Sequence, residues 1–105
     1  MPKWDNPTTK DLLKAILDLK NINEAKRFFR DLLTEQEIIG FGKRWRTANM
    51  LSEKIPYPII EKQTGLSSTT IARVSKWLNK GMGGYKLILQ RLHHHNSSSF
   101  GKGLS

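Results

Sequence analysis

The chain contains no cysteine, and its three histidines are consecutive. The absence of cysteine excludes disulfides and thiolate metal sites. No Cys/His or Ser/His/acid set is available for nucleophilic catalysis, so we expect a protein that is not an enzyme. His93, His94 and His95 could bind a metal, but they lie in a polar tail without a companion acid. Adventitious binding is the better interpretation, and we predict no metal site and no resident cofactor.

Long hydrophobic segments are also missing. No apolar run approaches the roughly 20 residues of a membrane-spanning helix. The N-terminal sequence Met-Pro-Lys-Trp-Asp-Asn-Pro lacks the apolar segment of a signal peptide. Together these absences predict a soluble, cytoplasmic protein with no membrane partner, and a length of 105 residues favours a single domain.

Acidic residues are scarce in one half of the chain only. Residues 1–42 carry seven Lys or Arg and seven Asp or Glu, whereas residues 43–91 carry ten Lys or Arg and only Glu53 and Glu61 as acids. The formal net charge of +9 therefore arises almost entirely in the second half. Such an asymmetry favours a polyanionic partner, although a solubilising charge or contact with an anionic membrane surface would give the same totals.

The apolar residues recur at helical spacing and no β pattern of useful length appears, which predicts an all-α protein. Thr8 and Asp11 are typical of the start of a first helix. Thr34 and Glu37 form a capping-box pattern before a long helix. We predict an N-terminal arm over residues 1–8, a single helical domain over 9–92 and a disordered tail over 93–105. Later helices are predicted at about 24–33, 35–54, 58–64 and 85–92, with another that is capped by Ser67 or Ser68 and runs to about Lys80.

The long helix has an apolar stripe that is wider than a single seam. This width indicates a central helix or one shared with a partner. Gly40 and Gly42 lie in its interior, where each costs about 1 kcal/mol against Ala. Two interpretations are equally good: another helix approaches closely at these glycines, or the helix tolerates a kink there.

Residues 57–79 have the pattern of a helix-turn-helix. With Gly65 at the turn, the residues predicted to face inward are all apolar: Ile60, Leu66, Ile71 and Val74. Thr64 before the turn and Glu61 in the first helix depart from the usual residue types. The alternative is an ordinary helical hairpin with a solvated cationic face.

The outward positions of the second helix combine hydroxyls, one methyl group and cations. Hydroxyls and a methyl group can meet base edges in the major groove, while free amides and cations suit phosphate. We predict a DNA-binding surface made of Ser67, Ser68, Thr69, Ala72, Arg73, Lys76, Lys62 and Arg46.

The sequence resembles the Trp repressor superfamily, and most of all its YerC/YecD-type branch. The residues that carry the resemblance are Leu32-Leu33-Thr34-x-x-Glu37, Lys43-Arg44-Trp45-Arg46, Thr64-Gly65-x-Ser67-x-x-Thr70-Ile71-x-Arg73, and Leu78-Asn79-x-Gly81 with Gly84-Tyr85. The resemblance implies a Trp-repressor-like helical fold, an intertwined homodimer, and operator half-sites about one helical turn (~34 Å) apart on double-stranded DNA.

The resemblance also implies a ligand pocket. Thr34, Arg44 and Arg73 match the family residues that hold the corepressor's carboxylate and neighbouring groups. Val74 stands where the family has the glycine against which the indole packs, and Trp77 stands where it has a serine. Both changes argue against free tryptophan as the ligand, and leave a different small anionic or amino-acid effector, or no effector.

These patterns predict a sequence-specific DNA-binding transcriptional regulator, most simply a repressor, that acts as a homodimer. The alternative is a protein-interaction module whose cationic face docks an acidic partner of the transcription machinery. An RNA-binding module ranks third, because no exposed aromatic pair for base stacking is evident.

Overall fold

The structure is a computed structural model that describes the backbone of residues 2–104 and the side chains of residues 2–94. Over that range every regular element is an α-helix, which confirms the all-α prediction. The helices are α1 (Pro7–Leu17), α2 (Ile22–Leu32), α3 (Glu35–Ser52), α4 (Tyr57–Thr64), α5 (Ser68–Lys80) and α6 (Gly84–Leu104). The chain forms two compact units, Met1–Ile39 and Gly40–Ser105.

The first unit is built from short, well-capped helices. Asn6 precedes α1, and its side-chain oxygen accepts a hydrogen bond of 2.9 Å from the amide of Thr9. Asn21 caps α2 in the same way, accepting from the amide of Glu24 at 2.9 Å. Neither helix contains a buried residue. Helices of this length are only marginally stable without packing of an apolar face, so the caps alone do not account for the stability of this unit.

The start of α1 corrects one prediction. We expected an arm over residues 1–8 with a helix start at Thr8, but α1 begins at Pro7 and the cap is Asn6. Proline is favoured in the first turn because its missing N–H would have no helical partner there.

The capping box before α3 is confirmed. The amide of Glu37 donates to the Thr34 hydroxyl at 3.1 Å, and the amide of Thr34 donates to the Glu37 carboxylate at 2.9 Å. Hydrogen bonding of the carboxylate by the Thr34 amide, and to a lesser extent by the Thr34 hydroxyl, holds the pKa of Glu37 below its usual value, because it stabilises the ionised form.

The core of the second unit lies between α3, α4 and α5. Met50, Ile60 and Ile71 are buried together, and Leu51, Ile55 and Leu66 pack against them. Val74 is also fully buried, so the inward-facing residues predicted for the helix-turn-helix are buried or half-buried. Burial of each such side chain contributes about 1.5–3 kcal/mol.

The last helix is longer than predicted. We expected it to end near Leu92, whereas α6 continues to Leu104, and no Pro or Gly interrupts the sequence between Gly84 and Gly101. Its residue Leu89 is buried, as is Leu78 of α5. The helix overlaps the tail that we predicted to be disordered over 93–105. The side chains of residues 95–105 lie outside the described residues, so the tail and the other domain boundaries stay predictions.

The end of α3 stores backbone strain. Lys54 adopts a left-handed conformation with φ +61°. The amide of Ile55 donates to the carbonyl of Met50 at 3.0 Å, and that of Lys54 donates to Leu51 at 2.9 Å. This is a Schellman motif, in which glycine is the favoured residue at the position that Lys54 occupies.

We predict opposite effects of two substitutions at left-handed positions. The left-handed conformation costs a non-glycine residue about 1–2 kcal/mol. Glycine also raises the conformational entropy of the unfolded chain, which favours unfolding by about 0.4–1 kcal/mol. Lys54→Gly should therefore raise the free energy of unfolding by about 0.5–1 kcal/mol. Gly65→Ala should lower it by a similar amount, because Gly65 has φ +74°. Urea denaturation at one fixed protein concentration measures both, and a Lys54→Gly protein less stable than the original would contradict the strain at Lys54.

Candidate nucleic-acid interface

Gly65 makes the turn between α4 and α5. Its φ of +74° lets the chain reverse directly after Thr64, and its amide donates to the carbonyl of Glu61 at 2.8 Å. The next helix begins three residues later, at Ser68. The sharp turn brings Ile60 of α4 and Ile71 of α5 into one core cluster, so the angle between the two helices is fixed by packing.

Thr64 is buried, and its hydroxyl is fully used. Oγ1 donates to the carbonyl of Ile60 at 2.7 Å and accepts from the amide of Leu66 at 3.2 Å. The residue that departs from the usual apolar type before the turn therefore stabilises the end of α4 and the turn together. A buried hydroxyl with both partners supplied costs little.

The N-terminus of α5 faces solvent. Ser67 caps it, accepting from the amide of Thr70 at 3.2 Å and sharing a hydrogen bond of 3.1 Å with the Thr70 hydroxyl. Within the described part of the chain, the amides of Ser68 and Thr69 have no acceptor, as expected in a first helical turn. These two amides are free to meet an anion, whereas the Ser67 hydroxyl is already engaged in the cap.

The side chains predicted to contact DNA are all exposed. Five of them lie on α5: Ser68, Thr69, Ala72, Arg73 and Lys76. Ser67 caps that helix, Lys62 lies on α4 and Arg46 lies on α3. The inward side of α5 is apolar and buried, at Ile71, Val74 and Leu78. No Asp or Glu follows Glu61 in the sequence, so no acid of α5 opposes an approaching polyanion.

Arg46 is held by a neighbour. Its Nη2 donates to Gln63 Oε1 at 3.3 Å, which joins α3 to α4. Lys43 lies on the same helix, and its Nζ would be 3.8 Å from a Cβ on Gly65. Two cations of α3 are thus placed beside α4 and the turn, and sequence reasoning had identified only Arg46.

Arg44 contacts aromatic rings instead of an anion. Its guanidinium carbon lies 5.4 Å from the centroid of the Phe41 ring and 5.8 Å from that of Trp77. Trp77 is 44% exposed, and Val74 beside it on α5 is fully buried. Two of the predicted pocket residues, Arg44 and Trp77, are therefore brought together.

The other predicted pocket residues serve different contacts. Thr34 belongs to the first unit, where it caps α3. Arg73 is exposed, and among the described residues no hydrogen bond or aromatic contact joins it to Arg44 or Trp77. Another stack joins α3 to α6, where the rings of Trp45 and Tyr85 lie 6.0 Å apart. The sequence pattern did not identify this partner of Trp45.

A short helix, a left-handed glycine turn and a second helix with a buried apolar side and an exposed cationic side define a helix-turn-helix protein. The model of the family described as Trp repressor protein matches residues 8–93. The chain belongs to the Trp repressor family, whose members are DNA-binding regulators and not enzymes. The resemblance inferred from the sequence motifs is therefore confirmed.

Known relatives agree with this assignment. The chain is 41% identical over 91 residues to the uncharacterized protein YerC of Bacillus subtilis, covering 87% of this chain and 88% of YerC. A TrpR-like protein from Eubacterium eligens superposes with a TM-score of 0.84 at 40% identity, over 87% of this chain and 94% of that one. A candidate Trp repressor from Staphylococcus aureus superposes with a TM-score of 0.82 at 36% identity, over 87% and 91% of the two chains.

Two kinds of feature are absent from the described residues. None of the helices there is long and apolar enough to cross a lipid bilayer. In the same part of the chain, no group of three His, Cys, Asp or Glu side chains could hold a metal ion. The side chain of His95 lies outside that part.

We predict that the Arg44–Trp77 contact couples α3 to α5 weakly but measurably. A double-mutant cycle with Arg44→Met and Trp77→Leu should give a coupling energy of about 0.5–1 kcal/mol, the value expected for a partly exposed cation–π pair. Urea denaturation of the four proteins measures it. Strictly additive effects would show that the two side chains do not interact in solution.

Proposed function

We propose that the chain is a cytoplasmic, sequence-specific DNA-binding transcriptional regulator that acts as a repressor. The observation that carries the proposal is the arrangement of α5: Ile71, Val74 and Leu78 are buried, while its other side presents hydroxyls and cations to solvent. Membership of a family of DNA-binding regulators supports it.

The proposed contacts divide into two kinds. The free amides of Ser68 and Thr69 at the start of α5 suit a phosphate. The side-chain hydroxyls of the same two residues can meet base edges. Ala72 suits a thymine methyl, and the guanidinium of Arg73 can bind guanine through two hydrogen bonds. Base contacts of this kind give sequence specificity, whereas phosphate contacts fix position.

Cations around the turn complete the surface. We assign Lys76, Lys62 and Arg46 to the phosphate backbone. The hydrogen bond from Arg46 to Gln63 orients its guanidinium before DNA arrives. A side chain that is already ordered loses less conformational entropy on binding.

We propose that the regulator is a homodimer. The first unit has amphipathic helices without a buried residue, and it leaves Leu17 84% and Ile22 75% exposed. Among the described residues, a methyl group added at Gly40 or Gly42 of α3 would have no atom within 4 Å other than its chain neighbours and the backbone of its own helix. These glycines leave room for a close approach by a second copy, and the family resemblance implies a dimer whose two α5 helices meet half-sites about 34 Å apart on DNA.

We further propose that free tryptophan is not the effector. In the pocket that the family resemblance implies, Thr34, Arg44 and Arg73 suit an anion. Arg44, however, is in contact with the protein's own indole at Trp77. Val74 is a branched, fully buried side chain, where a ring would need an open backbone surface. The indole of Trp77 takes the place of the indole of a tryptophan ligand. DNA binding should therefore not require tryptophan.

For the DNA surface, we predict that Arg73→Ala combined with Lys76→Ala lowers the affinity for duplex DNA and flattens its salt dependence. The slope of log K against log salt should fall by about 0.9 for each phosphate that the variant no longer neutralises. Fluorescence anisotropy with a labelled duplex between low and moderate salt measures both quantities.

The matched control is Lys14→Ala combined with Lys26→Ala, which removes the same charge from the first unit. It should change the slope much less. Equal changes in the two double variants would indicate a general charge effect and would count against the assignment of α5. Failure of the original protein to bind any duplex at low salt would favour docking to an acidic protein partner.

For the dimer, we predict a mass close to twice the 12.1 kDa of the chain in sedimentation equilibrium. Replacing Leu17 and Ile22 by Lys should shift the protein towards the monomer, because a charge buried without a partner is strongly unfavourable. Lys10→Glu combined with Lys14→Glu is the control on α1 and should leave the mass unchanged. A wild-type monomer at micromolar concentration would contradict the proposal.

A further inference from the structure

A second feature of the surface is a cleft between the end of α3, the side of α5 and α6. It has a volume of about 530 Å³, within the range of roughly 300–1,000 Å³ that small-molecule sites occupy. Three leucines form its apolar floor, and three basic side chains lie around it: Leu51, Leu78 and Leu89, with Lys54, Lys86 and His93. Leu78 and Leu89 are buried.

The charge of the cleft has one sign. None of the described residues that line it is acidic. Over the described side chains, neither Lys54 nor Lys86 has a carboxylate oxygen within 4.0 Å. Two ammonium groups beside an apolar floor thus lack a protein anion to pair with, and such a combination suits a ligand with both an apolar body and a negative group.

The polar wall of the cleft is ordered. The side-chain Nδ2 of Asn79 donates to the carbonyl of Ser75 at 2.9 Å and lies 3.4 Å from the Ser75 hydroxyl. Both residues line the cleft. Lys54 also lines the cleft, and its backbone adopts a left-handed conformation that favours glycine.

We propose that this cleft binds a small organic carboxylate with an aromatic or aliphatic body. The leucine floor would receive the body, and Lys54 and Lys86 would hold the carboxylate. A DNA backbone would use the lysines but gains nothing from a concave floor of leucines. The inference goes beyond the proposed DNA binding and does not depend on it, because none of the residues assigned to DNA lines the cleft.

The test uses the full chain and three probes. Benzoate has both required parts, benzyl alcohol has the ring without the charge, and acetate has the charge without the ring. In ¹H–¹⁵N NMR titrations, benzoate should give saturable shifts of the amides of Lys54, Ser75, Asn79 and Lys86. The other two probes should bind at least about tenfold more weakly.

Two double variants distinguish a specific binding site from a general effect of positive charge on benzoate affinity. Lys54→Gln combined with Lys86→Gln should weaken benzoate at least about tenfold. Lys62→Gln combined with Lys76→Gln removes the same charge outside the cleft and should change benzoate affinity by less than about twofold. Circular dichroism of both variants should match the original protein.

Three results would overturn the proposal. One is benzoate binding no tighter than acetate or benzyl alcohol. Another is an equal loss of benzoate affinity in both double variants. The third is that benzoate shifts no amide of the original protein while the Lys54/Lys86 variant loses affinity for duplex DNA. That result would assign the cleft to the DNA surface. Loss of DNA binding by the Arg73/Lys76 variant bears only on the proposed function, so the two failures are distinguishable.

Discussion

The burial of Ile60 against Ile71 across the turn at Gly65 is the interaction on which the rest depends. The left-handed glycine allows the chain to reverse, and the buried isoleucines fix how α5 lies on α4. Thr64 closes the turn without leaving a buried polar group unpaired. Because α5 is fixed from its inner side, its outer side can carry residues suited to binding instead of packing. Disrupting the isoleucine pair would release the whole proposed DNA surface at once.

Charged residues are distributed unevenly between the two halves of the chain. Acids and bases balance in residues 1–42, while no acid follows Glu61. Seven of the nine acids lie in residues 1–42, and Glu37 among them serves as a cap. The second unit instead has cations around its core, on α3, α4 and α5. One of these, Arg44, contacts two aromatic rings instead of facing an anion. The location of a cation on its helix therefore decides whether its side chain is available for binding or is used in packing.

Much of the fold could be predicted from the sequence, because its signals are local. The Thr34–Glu37 box, the glycine turn and the apolar spacing of α5 each depend on residues only a few positions apart. The start of α1 was wrong because Asn6 caps it ahead of Pro7. Contacts between helices distant in sequence were out of reach: Trp45 with Tyr85, Arg44 with Trp77, and the cleft lined by Lys54 and Lys86. Spacing along one helix does not determine which side chain of another helix it meets.

The proposed function requires α5 to bind specific DNA sequences in a dimer without added tryptophan. Selection of bound duplexes from a random pool, performed with and without tryptophan, tests it most directly. We expect enrichment of a discrete palindrome with half-sites about 10 base pairs apart, the same in both selections. No enrichment, or a palindrome that emerges only when tryptophan is present, would contradict it.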